Sequence, residues 1–151
     1  YAIIGHNERV EKYHENKSIV NMKLIAALEA NILPILCFGE NIDEDYKEVI
    51  PKILDAYLKD VLNIDFITFA YEPAYAIGTG TLPSVDRIKE VTGFISKYIE
   101  DKYHKKPSII YGGSVDSSNI DKIINIERLS GVMIGAISSN IKEIQKIFKN
   151  I

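Results

Sequence analysis

A single carboxylate, Glu72, stands at the end of an apolar run and is the side chain that the sequence places best for chemistry. The run Phe66 to Tyr71 leads into it, and a proline and two glycines follow within eight residues. A carboxylate at the tip of a buried strand can take up a proton, and a glycine-containing loop can close over a bound molecule. The ten residues from Tyr71 to Gly80 therefore indicate proton transfer beneath a lid.

Taken alone, Glu72 is equally consistent with an ordinary strand-end carboxylate that is exposed or paired with an arginine such as Arg9. His6 follows the apolar segment Tyr1 to Ile4. An imidazole in that position can act as an acid, a base or a neutral hydrogen-bond donor. For an isolated histidine, partial burial with local backbone partners is the favoured interpretation. Both residues are candidates that the rest of the chain has to support.

Three charged residues downstream of His6 are close enough in sequence to form a local ion-pair cluster. They are Glu8, Arg9 and Glu15. Such a cluster more often holds neighbouring segments together than takes part in a reaction. We therefore assign these three residues to support of the site and not to chemistry.

Glycines follow two later apolar runs, and their positions indicate an anion site. Gly112 and Gly113 precede Ser114 after one run, and Gly135 follows the next run. Exposed backbone N–H groups near helix N-termini favour an anion such as phosphate, although a glycine pair by itself is as consistent with a tight turn. Two neighbouring strand-end glycine sites, late in a repeated series, match the phosphate site that closed barrels build after their last two strands.

Motifs of several other chemistries do not occur in the sequence. Gly78-Thr79-Gly80 gives only a G-x-G that follows a carboxylate, so there is neither a dinucleotide fingerprint nor a P-loop. No set of His, Cys, Asp and Glu has metal-ligand spacing, and no serine stands in a nucleophile elbow. We therefore expect neither a metal nor an organic cofactor.

The composition is typical of one globular domain, with 151 residues of which 46% are hydrophobic and 26% charged. A formal charge of −3, with scattered lysines and arginines, gives no basic surface for nucleic acid. Apolar stretches of about six residues are far shorter than the roughly 20 needed to span a bilayer, and no export signal is recognisable. The lone Cys37 lies in an apolar run, where a small buried side chain is expected. We expect a cytoplasmic protein that binds neither nucleic acid nor membrane.

Short β-rich runs alternate with segments of helical periodicity. The expected strands are Tyr1 to Ile4, Leu33 to Phe38, Phe66 to Tyr71, Ser108 to Tyr111 and Val132 to Ile134. The expected helices are about Lys17 to Asn31, Asp43 to Leu62, Ser84 to Tyr103, Ser117 to Asn125 and Asn140 to Asn150. The expected N-caps are Asp43, Ser84, Ser117 and Ser139 or Asn140, and Pro51 predicts a kink or a break in the second helix.

Strands that are apolar on both faces and alternate with helices indicate an α/β fold with a parallel sheet covered by helices. An open doubly wound sheet and a closed (β/α)8 barrel both fit this pattern. A barrel usually needs about 250 residues and eight βα units, so the barrel interpretation implies that roughly three units are missing from these residues. In either architecture function gathers at the carboxyl ends of the strands, where Glu72, His6 and the glycines lie.

Three segments together resemble the signature segments of the triosephosphate isomerase family, in the right order and at suitable separations. They are Gly5 to Arg9, Tyr71 to Gly80 and Tyr111 to Val115, and the resemblance extends over the full chain. It implies a partial (β/α)8 TIM barrel in which residues 1–151 are the C-terminal five units of a single domain, with no second domain. It also implies a phosphorylated triose as substrate: the family interconverts dihydroxyacetone phosphate and D-glyceraldehyde 3-phosphate in glycolysis and gluconeogenesis, without a cofactor and as a homodimer.

The resemblance also implies a role for each candidate residue. Glu72 is the base that moves a proton between the two carbons beside the substrate carbonyl, and His6 is the neutral electrophile that polarises its oxygen; both roles belong to a standard worked case of pKa tuning. The lid runs from Pro73 to about Pro83, closes on the phosphate and excludes water. The backbone amides that hold the phosphate are those of Gly78, Ser114, Gly135 and Ala136. The supporting residues are Glu8 beside the active site and the ion pair of Arg9 with Glu15.

The chain departs from the family pattern at several positions. Tyr75 replaces a lid tryptophan, Asn7 replaces a common serine, and Thr81-Leu82-Pro83 is unusual for the second hinge of the lid. Ala136 replaces the second of two glycines, and if that position adopts φ > 0 the methyl group costs about 1 kcal/mol and can displace a phosphate donor.

The family's lysine, carried by an Asn-x-Lys segment after the first strand, has no counterpart in residues 1–151, nor has the loop that interlocks the family's dimer. We therefore expect this chain to be inactive by itself. Two alternatives stay open: a non-catalytic fragment that acts as an assembly module through exposed strand edges, and another phosphate-binding barrel enzyme.

Overall fold

The strands form one parallel sheet whose spatial order is the order of the chain. The computed structural model describes residues 1–78 and 82–149, and within them the sheet has five strands in the order β1-β2-β3-β4-β5. The strands are β1 (Ala2–Ile4), β2 (Pro34–Phe38), β3 (Thr68–Tyr71), β4 (Ser108–Tyr111) and β5 (Gly131–Val132). Each lies beside its neighbour in sequence, which confirms the predicted parallel α/β architecture.

Helices connect the strands, as parallel crossovers require. They are α1 (Asn7–Tyr13), α2 (Lys17–Glu29), α3 (Tyr46–Tyr57), α4 (Val85–Tyr103), α5 (Ile120–Ile124) and α6 (Ile141–Lys149), with short 3₁₀ turns at Ala74–Ala76 and Ala136–Ser139. The predicted last helix included residue 150, which lies outside the described residues.

The two faces of the sheet differ in how well they are covered. Side chains alternate between faces along a strand. The helix-facing set forms the core and is buried: Leu36, Phe38, Phe69, Tyr71, Ile109 and Tyr111. The side chains of the opposite face include Ile3, Ile35, Thr68 and Ser108, which are paired side by side across β1 to β4. Ile3 in that set is 55% exposed, whereas Cys37 and Ala70 on the same face are buried, so this face lacks cover at the edge formed by β1.

Sequence and structure differ in which residues cap some of the helices. Ser84 caps α4 as predicted, its hydroxyl accepting the N–H of Arg87. Asp45 caps α3 instead of the predicted Asp43, and Asn119 precedes α5 instead of Ser117. In each case several Ser, Asp or Asn residues precede the helix, and the sequence alone does not choose among them.

Pro51 does not break the helix that contains it. The residue lies within α3, whose residues Ile50, Leu54 and Tyr57 are buried against the sheet. Proline removes one backbone donor and disturbs the preceding turn. Burial of this apolar stripe offsets that local cost. The helix therefore continues past Pro51 to Tyr57, and the predicted break does not occur.

Helix α1 is absent from the predicted elements. None of its residues is buried, so there is no apolar periodicity for a sequence pattern to detect. It begins directly after His6, whose ring nitrogen Nδ1 accepts the N–H of Glu8 at 3.3 Å. The segment between the first predicted strand and the first predicted helix, to which no element was assigned, is therefore a capped helix. Across the described residues no helix is long and apolar enough to cross a membrane.

Candidate active site

Glu72 follows β3 directly and is buried between the ends of three strands. Its backbone N–H donates to the carbonyl of Phe38 at 2.8 Å, which extends the β2–β3 pairing by one residue. A Cβ atom at Gly39 would lie 2.1 Å from the Glu72 carbonyl oxygen, and one at Gly112 would lie 2.8 Å from Glu72 Cγ. Both positions therefore require glycine, since any side chain there would overlap the glutamate.

The Glu72 carboxyl group has no strong partner. The residue is 2% exposed, and neither carboxyl oxygen has a hydrogen-bond partner among the described residues. Burial raises the pKa of Glu72 to about 7, although the Cys37 thiol and the backbone N–H of Asn7 lie near enough to favour the charged form. A base whose pKa lies near neutrality is suited to exchange protons in both directions.

This environment excludes the alternative in which Glu72 is exposed or paired with Arg9. The Arg9 guanidinium contacts Glu15 at 2.6 Å instead. Lys23 joins the same carboxylate at 2.5 Å, and its hydrogen bond is the main reason that the pKa of Glu15 lies below its usual value, against the effect of burial.

Glu8 does not join Arg9 and Glu15 in the ion-pair cluster that the sequence predicts. It pairs with Lys12 at 3.0 Å on the exposed side of α1 and lines the same cavity as Glu72. The pKa of Glu8 is lowered chiefly by the hydrogen bond from Lys12. Arg9 and Glu15 therefore form an ion pair of their own, while Glu8 lies separately, closer to the cavity.

His6 brings the second candidate group next to the first. Its Nε2 atom lies 3.6 Å from Glu72 Oε1, and its Nδ1 accepts a backbone N–H of α1. A nitrogen that accepts carries no proton, so the neutral ring places its N–H on Nε2, on the side that faces Glu72. The helix cap thus selects the tautomer that can donate a hydrogen bond into the cavity.

Glycine-rich segments from two further strand ends complete the cavity. It has a volume of about 620 Å³, and the candidate residues His6, Glu8, Glu72, Gly78, Ser114, Gly135 and Ala136 all line it. Among the described residues, no heavy atom other than those of the glycine and its two chain neighbours lies within 4 Å of a Cβ built on Gly78 or on Gly135, so the space beside both backbones is open. The cavity therefore has room for a small anion against backbone N–H groups.

Ala136 carries no strain from replacing a glycine. It starts the 3₁₀ turn Ala136–Ser139 and is not among the described residues with positive φ. The expected cost of about 1 kcal/mol depended on a left-handed backbone, and that condition is not met. Its methyl group lies at the cavity wall.

The loop after Glu72 is partly described. Residues 79–81, which belong to the predicted lid, lie outside the described residues. The preceding part makes one 3₁₀ turn at Ala74–Ala76, and the Ser114 hydroxyl donates to the carbonyl of Ala76 at 2.7 Å. The start of this loop is therefore tied to the segment that follows β4.

Sequence reasoning gave no role to a second buried carboxylate, Glu40. It follows Gly39 at the end of β2 and is 1% exposed. One of its oxygens accepts the Tyr71 hydroxyl at 3.0 Å and the Arg87 guanidinium at 3.3 Å. Glu40 and Arg87 are 47 positions apart, so no local pattern connects them.

A cavity of about 440 Å³ also lies at the opposite ends of β2 and β3. Its walls are mainly apolar and include Leu28, Leu33 and Phe66, and none of the candidate site residues lines it. We place the candidate site at the carboxyl ends, where titratable groups and open backbone N–H groups meet. Among residues 1–78 and 82–149, no three His, Cys, Asp or Glu side chains are grouped so that they could hold a metal ion.

Comparison with known proteins gives a consistent result over the whole chain. A family model described as triosephosphate isomerase matches residues 1–151. The chain is 37% identical to the triosephosphate isomerase of Mycoplasma mobile over 153 residues, which is 98% of this chain and 61% of that protein. It is 38% identical to that of Wolbachia sp. subsp. Brugia malayi, with 100% of this chain and 62% of that protein covered. The chain thus spans about three fifths of the length of the relatives it matches.

Proposed function

Because the chain belongs to the triosephosphate isomerase family, we propose that it contributes the proton-transfer half of an active site that interconverts dihydroxyacetone phosphate and D-glyceraldehyde 3-phosphate. The observation that carries the proposal is the buried Glu72, which has a pKa of about 7 and no hydrogen-bond partner among the described residues. It lies beside His6 Nε2, the nitrogen that carries the N–H in the neutral ring. Glycolysis and gluconeogenesis in the cytoplasm are the metabolic setting that goes with this reaction.

In the proposed reaction Glu72 removes a proton from the carbon next to the substrate carbonyl and returns it to the neighbouring carbon. The electron pair left behind moves onto the carbonyl oxygen, which gives an enediolate. The N–H on His6 Nε2 donates to that oxygen as charge builds up, and one such donor is worth on the order of 3 kcal/mol of barrier. A proton then passes from the neighbouring hydroxyl oxygen to this oxygen by way of His6 Nε2, so that the former hydroxyl becomes the new carbonyl when Glu72 delivers its proton to the second carbon. No atom is gained or lost in the exchange, so neither a metal nor a redox group is needed.

The phosphate of the substrate is assigned to the glycine-rich wall of the cavity. The backbone N–H groups of Gly78, Ser114, Gly135 and Ala136 are the proposed donors. Lid residues from Pro73 to about Pro83 are proposed to close over this group and exclude water, which protects the enediolate from losing phosphate.

One requirement of the reaction is not met by the cavity as described. No lysine or arginine is among the residues that line it, although substrate and enediolate are both anionic. We propose that the cation comes from polypeptide corresponding to the first three βα units of the family, and that residues 1–151 are inactive without it. The complete family member is proposed to be a homodimer.

The proposal is tested by isomerase assays on the longest chain that the gene encodes and on residues 1–151 alone. Glu72→Asp shortens the side chain by one carbon and withdraws the base from the substrate, so we expect a loss of more than tenfold in kcat in the long chain. A loss smaller than tenfold would argue against Glu72 as the base. Measurable turnover by residues 1–151 alone would contradict the need for an external cation.

A second function, that of an assembly module, has one observation in its favour. Ile3 is 55% exposed on an edge strand, and within the described residues β1 pairs only with β2 and β5 only with β4. Unpaired parallel edges can take up another strand. A start codon close to Tyr1, together with stable complexes but no isomerase activity, would favour this function over the enzyme.

A further inference from the structure

Glu40 holds the chain on both sides of Glu72. Its carboxylate accepts the hydroxyl of Tyr71, the residue before Glu72, at 3.0 Å. Its backbone carbonyl accepts the N–H of Ala74, two residues after Glu72, at 3.0 Å. The segment that carries the proposed base is therefore fixed at both ends by one residue of the segment that follows β2.

Arg87 in turn holds Glu40 from the far side of the loop. It lies in the first turn of α4, and its Nη2 atom is 3.3 Å from Glu40 Oε1. Its guanidinium carbon lies 4.2 Å from the centre of the Tyr46 ring, whose hydroxyl donates to Glu90 at 2.7 Å. Glu90 also lies 3.8 Å from Arg87 Nη1. Contacts with Tyr46 and Glu90, in addition to Glu40, thus fix the position of the arginine side chain.

Arg87 also contacts the loop that leaves Glu72. Burial lowers the pKa of Arg87, but the Glu40 carboxylate, Tyr71 and a hydrogen bond with Tyr75 together raise it above its usual value. Tyr75 lies in the 3₁₀ turn that follows Glu72 and Pro73. One guanidinium therefore connects the strand end before the base, through Glu40, with the turn after it, through Tyr75.

We propose that Arg87 is a positioning residue for Glu72, acting through Glu40 and Tyr75 to keep the carboxylate withdrawn from water. The inference rests on the proposed function for its catalytic meaning, but the geometry that it predicts can be tested without activity. If the arginine only neutralised Glu40, its loss would leave Glu72 where it is. If it positions the turn, its loss lets the turn move and admits water to Glu72.

The two roles change the titration of Glu72 in opposite directions. Removing a nearby cation while Glu40 stays negative favours the protonated form, so a purely electrostatic role raises the pKa of Glu72 or leaves it unchanged. Hydration of the carboxylate favours the charged form, so a positioning role lowers the pKa from about 7 towards the ordinary value of 4.5.

The experiment is a carboxyl-carbon NMR titration of Glu72, assigned by its loss in Glu72→Gln, in variants of residue 87. We expect Arg87→Met to lower the pKa of Glu72 by about one unit or more, and Arg87→Lys, which keeps the charge without the planar fork, to lower it less. A matched control is Arg128→Met, which removes a guanidinium that contacts Ser96 and Glu100 on α4, away from the site. This control should leave the pKa of Glu72 unchanged.

A folded Arg87→Met variant in which the pKa of Glu72 is unchanged or higher would overturn the proposal. If that variant does not fold, Glu40→Gln combined with Arg87→Met removes both charges and leaves none uncompensated. The same fall in pKa is expected there, and its absence would be equally decisive. In the longest encoded chain, Arg87→Met should lower kcat by about tenfold with KM changed less than twofold, because the base and not the phosphate wall is displaced. Failure of the isomerase assay would count against the proposed function and would leave the titration result standing.

Discussion

Two buried glutamates at the ends of neighbouring strands have opposite surroundings. Glu40 lies two residues after β2 and Glu72 directly after β3, and the two are 1% and 2% exposed. Glu40 accepts a tyrosine hydroxyl and contacts an arginine, whereas neither oxygen of Glu72 has a hydrogen-bond partner among the described residues. Burial alone does not distinguish a structural carboxylate from a reactive one; the partners provided by the fold do.

The comparison also shows how one site makes use of both surroundings. A carboxylate with a cation and a hydroxyl can hold other groups in place, because its charge is compensated. A carboxylate without partners gains and loses a proton easily, because neither state is strongly favoured. The chain places the partnered Glu40 close to the unpartnered Glu72. Gly39, the residue before Glu40, packs against the backbone carbonyl of Glu72.

The largest effect is expected where the two strand ends meet. Gly39→Ala puts a methyl group within 2.1 Å of the Glu72 carbonyl oxygen and 2.5 Å of its carbonyl carbon, so the strand ends must separate. We expect a loss of more than about 4 kcal/mol in the free energy of unfolding, measured by urea denaturation. Gly135→Ala is the control, since in the described part of the chain no heavy atom beyond the two neighbouring residues lies within 4 Å of the added methyl group. Equal stability of the two variants would mean that the strand ends are not this close.

The next largest effect concerns the partner of Glu40. Arg87→Met leaves a buried carboxylate without its cation, and we expect a loss of about 3 kcal/mol in the free energy of unfolding. This value is at the lower end of the usual range because the arginine side chain is 32% exposed. Adding Glu40→Gln should restore at least half of the loss. No recovery in this double variant would show that the charge on Glu40 is not what destabilises the single variant.

Glu72 should make stability depend on pH in the opposite sense from a paired carboxylate. Its pKa is raised from 4.5 to about 7 in the folded state, so between these values the folded state keeps a proton that the unfolded state has lost. Stability attributable to Glu72 is then present below pH 4.5 and falls by on the order of 3 kcal/mol as pH rises to 7. Unfolding curves of the wild type and Glu72→Gln across this range measure the difference. A difference that does not change with pH would contradict the raised pKa.

The smallest effect is expected at the hydrogen bond that ties the start of the loop to the segment after β4. Ser114→Ala removes the donor to the Ala76 carbonyl, a bond of 2.7 Å between uncharged groups. We expect a loss of about 1 kcal/mol in the free energy of unfolding and no change in the titration of Glu72. A shift in that titration would show that Ser114, and not only Glu40 and Arg87, sets the position of the base.

Much of the fold could be predicted from the sequence because its signals are local. Strand β4 has the predicted bounds, and the other strands differ by one to two residues at their ends. Helix α1 could not be predicted, since it buries none of its residues and is held by a histidine cap and the exposed Glu8–Lys12 pair. Elements without an apolar stripe leave no periodic trace in a sequence.

The candidate site, too, has parts that the sequence predicts and parts that it does not. Glu72, His6 and the glycines belong to short segments with recognisable order, and they do line one cavity. The contacts that set the surroundings of Glu72 connect residues far apart in sequence, such as Glu40 with Arg87. Which carboxylate receives the cation is decided by packing of α4 on the sheet, and no single segment encodes it.

The spatial order of the strands has a consequence for how the protein is made. Since every strand pairs with the one that precedes it in the chain, each βα unit can dock as soon as it leaves the ribosome, on an edge that already exists. Glu72, at the end of the third strand, would then acquire its neighbours from β2 before the glycine loops of β4 and β5 are synthesised. The Glu72 carboxylate is then enclosed in two stages, and its burial is complete only when the later strands arrive.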